Sequence, residues 1–382
     1  MRLIVAGCAV AMCLATSGYA QVRDRAAADS RSDAAAIAAG WTAAAAGRID
    51  AAVKEADGIL QRRPWDRAAL SLKIGALAPA APARALDAYE QWIAAGHADD
   101  AGLLEPVAIG VLQEIASGRA AELKRPALRA LAAARVAGAQ QALDALPASA
   151  DTRMERDVAM ARAGDAGALQ RLNEQASAGG TPAIARALGE IGASGEPGLL
   201  LLLKAQSPQT RAAAAEGLGH VDSARAREGL KALGQDADPI VRTSATIALA
   251  QLGDSSALAT VERMLASPVP DIQLAAARAW NGRSGPWVPV VKALLENPDG
   301  LTRIEAARAI APVDPEAAHR VLEKALADPN PVIRYESASS IDQALEAQFA
   351  GANLATLRQR LRDGDHTVRL AVANLLLRLA RA

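Results

Sequence analysis

The chain of 382 residues carries 42 basic and 42 acidic side chains, so its formal charge at neutral pH is zero. That balance argues against long-range attraction to nucleic acid or to an anionic membrane surface. Apolar residues, alanine foremost, make up 51% of the chain and aromatics only 2%, so a core must be built from many small contacts.

Met1 to Ala20 has the features of an export signal. It carries one cation at Arg2, an apolar run from Leu3 to Ala15 too short to cross a bilayer, and small residues at Gly18 and Ala20 before Gln21. A buried N-terminal helix is one competing reading. A lipoprotein signal is another, since Val5-Ala6-Gly7-Cys8 has the residue types of a lipobox, but only Leu3 and Ile4 separate it from Arg2. Cleavage after Ala20 would remove both cysteines, Cys8 and Cys13, leaving no thiol for a disulfide or a metal site. The expected location is periplasmic or secreted. No later stretch approaches the roughly 20 apolar residues of a membrane helix, so no stable membrane insertion is expected after cleavage.

Residues 21–35 alternate arginine and aspartate among alanines and read as a mobile leader. Beyond it the chain shows no sustained two-residue alternation, whereas apolar residues at steps of three and four recur, so the expectation is all-α. Between residues 36 and 118, Gly47-Arg48-Ile49-Asp50-Ala51-Ala52 leads through Leu60 to Pro64, and Ala85, Leu86, Tyr89 and Ile93 follow with Ala85 33 residues after Ala52. This small-residue turn, large apolar residue, alanine and terminal proline resemble tetratricopeptide repeats. Trp41 and Trp92 read as packing between helices.

From residue 119 to 382 a second period takes over. Arg211, Arg242, Arg303, Arg334 and Arg369, with Gln273 between the second and third, are spaced 31, 31, 30, 31 and 35 residues apart. Seven residues after each stands a large apolar side chain (Leu218, Leu249, Trp280, Ile310, Ile341, Leu376), and three after stand Ala214, Ala245, Ala276, Ala306, Ser337 and Val372. One helical hairpin copied many times, each copy hiding its apolar face against its neighbours, implies an α-solenoid of stacked hairpins. The clearest unit is Asp238-Pro239-Ile240-Val241-Arg242-Thr243-Ser244-Ala245 followed by Ala248 to Asp254, and it is echoed upstream by Arg153, Met160 and Gly164-Asp165. These units resemble HEAT repeats, especially the short variety of phycobilisome-lyase-like proteins. Proline, aspartate or serine marks the turn before each second helix, and Gly219, Gly253 and Gly282 close several of them.

Six residues before the arginine column lie Ala205, Asp236, Ser267, Asn297, Asp328 and Asp363. Similarity to HEAT proteins implies a ladder in which these groups and the arginines join one repeat to the next. The joint loss of anion and cation at Ser267 and Gln273 fits that ladder, because an uncompensated buried charge costs several kcal/mol, while Ala205 breaks the pattern. A ligand-binding row of arginines is the alternative.

Helical geometry turns positions +2, +5 and +9 away from the buried stripe. By the same resemblance, second helices line a concave wall, so the candidate partner-binding surface is the charged group Arg278, Glu305, Arg308 and Glu336, together with Trp287 after the loop 281–286. An exposed tryptophan is a favoured binding anchor. Core packing of Trp287 and solvated pairing of the four charges are the structural alternatives.

Motifs for chemistry are missing. His97, His220, His319 and His366 fall in different repeats without a partner at metal-ligand spacing, Gly192 to Glu196 departs from the nucleophile elbow at its last position, and Asp363-Gly364-Asp365 is not a calcium loop. No catalytic residue, metal or cofactor is therefore expected. The leading expectation is an exported, non-enzymatic scaffold binding a protein or peptide partner through its helical surface. The resemblance also implies, as alternatives, bilin attachment or another small-molecule reaction, and nucleic-acid binding as in HEAT-like glycosylases; the balanced charge speaks against the latter.

Overall fold

The computed structural model describes residues 31–144, 150–280, 282–341, 345–346, 349 and 354–381. The export signal and residues 21–30 of the leader lie outside them, as do Asn281 and Gln343. All regular structure among the described residues is helical. The described residues form two compact units, one within 1–140 and 353–382, the other within 141–352.

In the first unit, α1 (31–45) pairs with α2 (Ile49–Arg62), and α3 (Arg67–Leu77), α4 (Pro82–Ala94), α5 (Ala101–Ser117) and α6 (Ala121–Ala133) follow as consecutive packed hairpins. Residues 31–35, part of the segment expected to be a mobile leader, are helical. Buried Asp33 accepts hydrogen bonds from Arg62 and Arg63 of the α2 end, which fixes residues 31–35 in place. Small residues set the packing distances. The Trp41 ring lies over Gly75, where an added Cβ would fall 2.5 Å from the ring, and Gly110 of α5 meets the Ala78 carbonyl so closely that an added Cβ would fall 2.1 Å from the oxygen. Asp66 and Asp100 cap α3 and α5 by accepting from Ala69 N and Leu103 N, satisfying amides that the first turn leaves unpaired.

Helix α7 (Ala139–Asp144) carries the chain across the boundary between the units. The second unit then stacks α8 (Ala150–Arg162), α9 (Ala166–Ser177), α10 (Pro182–Ile191), α11 (Glu196–Leu202), α12 (Pro208–Leu218), α13 (Ala224–Leu233), α14 (Pro239–Gln251), α15 (Ser255–Leu265), α16 (Pro270–Ala277), α17 (Trp287–Leu294), α18 (Gly300–Ile310), α19 (Pro315–Leu326) and α20 (Pro331–Ser340). The second helices α10, α12 and α14 pack on one another as well as on their own first helices, the arrangement that a hairpin period dictates. The +3 column is buried throughout, and the +7 column is buried at Leu218, Leu249, Ile310, Ile341 and Leu376. Trp280 is half-buried instead, because α16 stops at Ala277 and the column residue falls on a 3₁₀ turn (Arg278–Trp280).

The arginine column departs from the ladder of side chains expected to join one repeat to the next, except at Arg211. Arg211 Nη1 donates to the Ala205 and Gln206 carbonyls at 2.8 and 3.0 Å, Arg242 Nη1 to those of Asp236 and Ala237 at 2.7 and 2.8 Å, and Arg303 Nη1 to those of Asn297 and Pro298 at 2.7 and 2.9 Å. Arg334 repeats this with Asp328 and Pro329. These four guanidinium groups thus tie down their own inter-helix turns through backbone oxygens, and for that reason Ala205 serves as well as aspartate, whereas Arg369 donates to the Leu361 carbonyl and to Glu114. The side chains at −6 act separately, since Asp236, Ser267, Asn297, Asp328 and Asp363 each accept from the backbone amide two residues on and so close the turn. A link between repeats is made where Arg211 grips Asp236 of the following repeat with two bonds of 2.8 Å.

The last two helices, α21 (Ala355–Arg360) and α22 (His366–Leu379), belong to the first unit, where α22 packs on α5 and α6 and α21 on α22, although they were expected to continue the second array. Apolar burial along α22 (Val372, Leu375, Leu376) is reinforced by arginines meeting acidic groups about 250 residues earlier in the chain. Arg369 forks onto Glu114 with two bonds of 3.0 Å, Arg381 reaches Glu105 at 3.2 Å, and buried Arg358 joins Glu90 at 3.0 Å as well as Asp99. The Arg358 guanidinium also lies 5.6 Å from the Tyr89 ring centroid. Burial pushes the Tyr89 phenol far above its usual range, and its oxygen accepts from Asp100 N at 2.6 Å.

Candidate functional site

Of the five residues proposed from the sequence, Trp287 does not reach the surface. Trp287 is 1% exposed and donates from Nε1 to the Arg283 carbonyl at 2.8 Å, so it is a core residue of α17 and not an exposed anchor. The loop preceding it turns the ring inward, and the indole nitrogen finds its partner in that same loop. Arg278 is exposed and faces back along the array to Glu216, 4.0 Å away. Glu305 and Arg308 lie exposed on α18 and Glu336 half-exposed on α20, with no ion pair among the three. Position +2, expected to face solvent, is covered at Ala213, Ser244 and Ala371. Packing between adjacent second helices removes it from water, and Ser244 Oγ approaches Glu216 Oε1 at 3.4 Å.

Two clefts open instead on the upstream second helices. One, about 430 Å³, lies between α8 and α10 and is lined by Met154, Val158, Arg162, Ala183, Arg186 and Glu190. The other, about 410 Å³, lies between α10 and α12 against Gly189, Ala213, Glu216 and His220, and again Arg186 and Glu190. The floor of the second cleft exists because two glycines coincide: a Cβ on Gly189 would fall 3.0 Å from the Gly217 Cα, so α10 and α12 approach backbone to backbone. Arg186 and Glu190 line both clefts and make them neighbours on one face. Arg162 is held by Glu190, donating from Nε to its carbonyl at 3.1 Å with Nη2 3.5 Å from its carboxylate, whereas exposed Arg186 has no ion-pair partner among the described residues.

The lining is therefore apolar at its base, with a fixed cation and anion and a free guanidinium at its rim. Such a site suits amide, carboxylate and aliphatic groups. Sequence reasoning missed it because Gly189 and Arg186 lie upstream of the clear arginine period, and a Gly–Gly contact between helices leaves no mark in any one repeat.

Among the described residues no group of three histidine, cysteine, aspartate or glutamate side chains could hold a metal ion. His97 stacks on Trp92 with centroids 3.8 Å apart, and His319 sits edge-on to Phe349 at 4.3 Å and 3.5 Å from Glu323. No described helix is long and apolar enough to cross a membrane.

Residues 196–281, which span α11 to α16, match the family of HEAT repeats. Solved structures similar to the chain include human deoxyhypusine hydroxylase in complex with glycerol, 20% identical, covering 56% of this chain and 96% of that one with a TM-score of 0.30. An engineered protein is also similar, 20% identical, covering 92% and 95% of the two chains with a TM-score of 0.26. No curated protein matches the chain.

Proposed function

We propose that this helical-repeat chain is an exported, non-catalytic scaffold that holds a protein or peptide partner against its second-helix wall. The observation that carries the reading is the adjacent pair of clefts on α8, α10 and α12, which share Arg186 and Glu190 and together run across three neighbouring second helices. A continuous lining of that kind matches an extended or helical polypeptide better than a compact small molecule. The export signal read at residues 1–20 supports a site of action outside the cytoplasm.

The test is site-specific photocrosslinking in a cell that makes the full chain, with a benzoylphenylalanine at Arg186 or Glu190 and a control at exposed Glu316. The expected result is a discrete polypeptide adduct at the first two positions and none at the control, in the fraction outside the cytoplasm. A crosslinker that yields no polypeptide adduct at either cleft position would remove the scaffold reading. Retention of residues 1–20 in the mature chain, read by N-terminal sequencing, would remove export.

A further inference from the structure

We infer that the edge of the second unit where α13, α15, α17 and α19 turn into α14, α16, α18 and α20 docks a basic, apolar polypeptide segment. This deepens the scaffold reading above by adding a second contact surface and naming its partner's chemistry.

The edge carries large aliphatic side chains in register. Ile240, Leu301 and Val332 are each the second residue of their helix, and Ile240 and Val332 are more than half exposed, at 59% and 52%. In the module between, aspartate takes that position and exposed Val269 and Ile272 flank it, so the row is not interrupted. A single exposed aliphatic residue is ordinary, but a row repeated over four consecutive modules is a contiguous apolar strip. Neighbouring first turns are in contact, as a Cβ on Gly300 would fall 2.8 Å from Ile333 Cδ1. With packed helices about 8–10 Å apart, the strip offers apolar positions at about that interval. Residues seven apart on a helix, or three apart on an extended chain, repeat at about 10 Å.

Charge selects the partner. The four loops at this edge, residues 234–240, 266–272, 295–301 and 327–332, contain six carboxylates, and the four guanidinium groups seated on three of these turns, from Arg211, Arg242, Arg303 and Arg334, leave the edge net negative by two charges. Asp271, Glu296 and Asp299 are exposed beside the strip. Arg211 pairs with Asp236, but Asp271 and Glu296 have no ion-pair partner among the described residues, and the nearby cations of the first helices are directed elsewhere. Lys231 and Lys292 reach Asp254 and Asp314, the caps of α15 and α19 at the opposite end of the modules, at 3.8 and 2.6 Å. Arg263 turns back along its own helix to Thr260 Oγ1 at 3.1 Å. Lys324, in the last module, has no such tie among the described residues. An apolar strip rimmed by exposed carboxylates favours aliphatic side chains flanked by lysine or arginine and disfavours acidic segments and anionic lipid.

The test pans a random 16-residue peptide library displayed on phage against the full chain. It is repeated with the triple variant Ile240→Ser/Leu301→Ser/Val332→Ser and with the cleft variant Arg186→Glu/Glu190→Arg. All of these positions are at the surface, and unchanged thermal unfolding verifies folding. Peptides enriched through the edge are expected to carry net positive charge with aliphatic residues three or seven apart, and to lose about tenfold or more of their enrichment on the triple variant but not on the cleft variant. Their binding should also fall on Asp271→Lys/Glu296→Lys. Enrichment that survives the triple variant, peptides without a positive bias, or binding of phosphatidylglycerol vesicles through the same residues would overturn the inference. If the triple variant changes nothing while the cleft variant abolishes enrichment, the edge fails and the scaffold reading stands; if no peptide is enriched by any form, both fail.

Discussion

The arginine column gives the sharpest test of how the repeats are joined. Arg211 and Asp236, from consecutive repeats, meet through two bonds of 2.8 Å, with side chains 16% and 10% exposed. Breaking a fully buried pair costs about 3–5 kcal/mol and an exposed one about 0–1 kcal/mol, so at this partial exposure Asp236→Ala should cost about 2–3 kcal/mol. About 1 kcal/mol of that is the lost turn bond to Asp238 N, at 2.9 Å. The interaction energy from the cycle Arg211→Met/Asp236→Ala should therefore be about 1–2 kcal/mol. A second cycle, Arg242→Met/Asp236→Ala, should show coupling within about 0.5 kcal/mol of zero, because Arg242 binds the Asp236 carbonyl, which alanine retains. Equilibrium urea unfolding followed by far-UV circular dichroism supplies the free energies, with amide exchange across α12 and α14 reporting locally should the unit unfold in stages. Strong coupling in the second cycle and none in the first would restore side-chain pairing within a repeat and refute the backbone tie.

Other perturbations separate core from surface. Trp287→Ala should destabilise the second unit by about 3–5 kcal/mol through the cavity it leaves, while crosslinking at the clefts is unchanged in the folded protein; a loss below about 1 kcal/mol accompanied by loss of adducts would return Trp287 to the binding surface. Arg358→Ala removes the cation that faces Asp99 and Glu90 and should cost the first unit about 3–5 kcal/mol, read as increased amide exchange in α5 and α22, and wild-type protection there would sink the clasp described for the C-terminal helices. Acid response follows from depressed carboxylates: Asp236 is held low by Arg211, Asp254 by the Ser256 hydroxyl, Asp299 by the Thr302 amide and Asp314 by Lys292. Folded values below the unfolded aspartate value of about 3.9 mean that their stabilisation is complete above that pH and is lost as pH falls through the lower folded values. The urea midpoint should accordingly stay level from about pH 7 to 5 and decline below about pH 4, and a decline that begins between pH 7 and 5 would contradict the assignment.

What was legible in the sequence is what repeats. Ala214, Ala245, Ala276 and Ala306 are buried because a period of about 31 residues forces the same face of every second helix against a neighbour, and the caps at Ser207, Asp238 and Asp299 announce each helix locally. Trp287 was ambiguous because it follows a loop that breaks the register, where periodicity has nothing to say about which way a ring points. The candidate clefts were invisible for a related reason, since the Gly189–Gly217 approach depends on two helices meeting at one height.

By itself, then, the order of residues determined the helices, their caps, their hairpin pairing and the buried columns, because each follows from contacts within some thirty residues along the chain. Tertiary structure decided the rest. A backbone carbonyl has no side-chain signature, so the acceptors of the arginine column could not be read from residue types. Nor does a local period state which distant surface a final hairpin will cover: α21 and α22 go to the first unit because Glu90, Asp99 and Glu114 meet their arginines there, across about 250 residues of intervening chain.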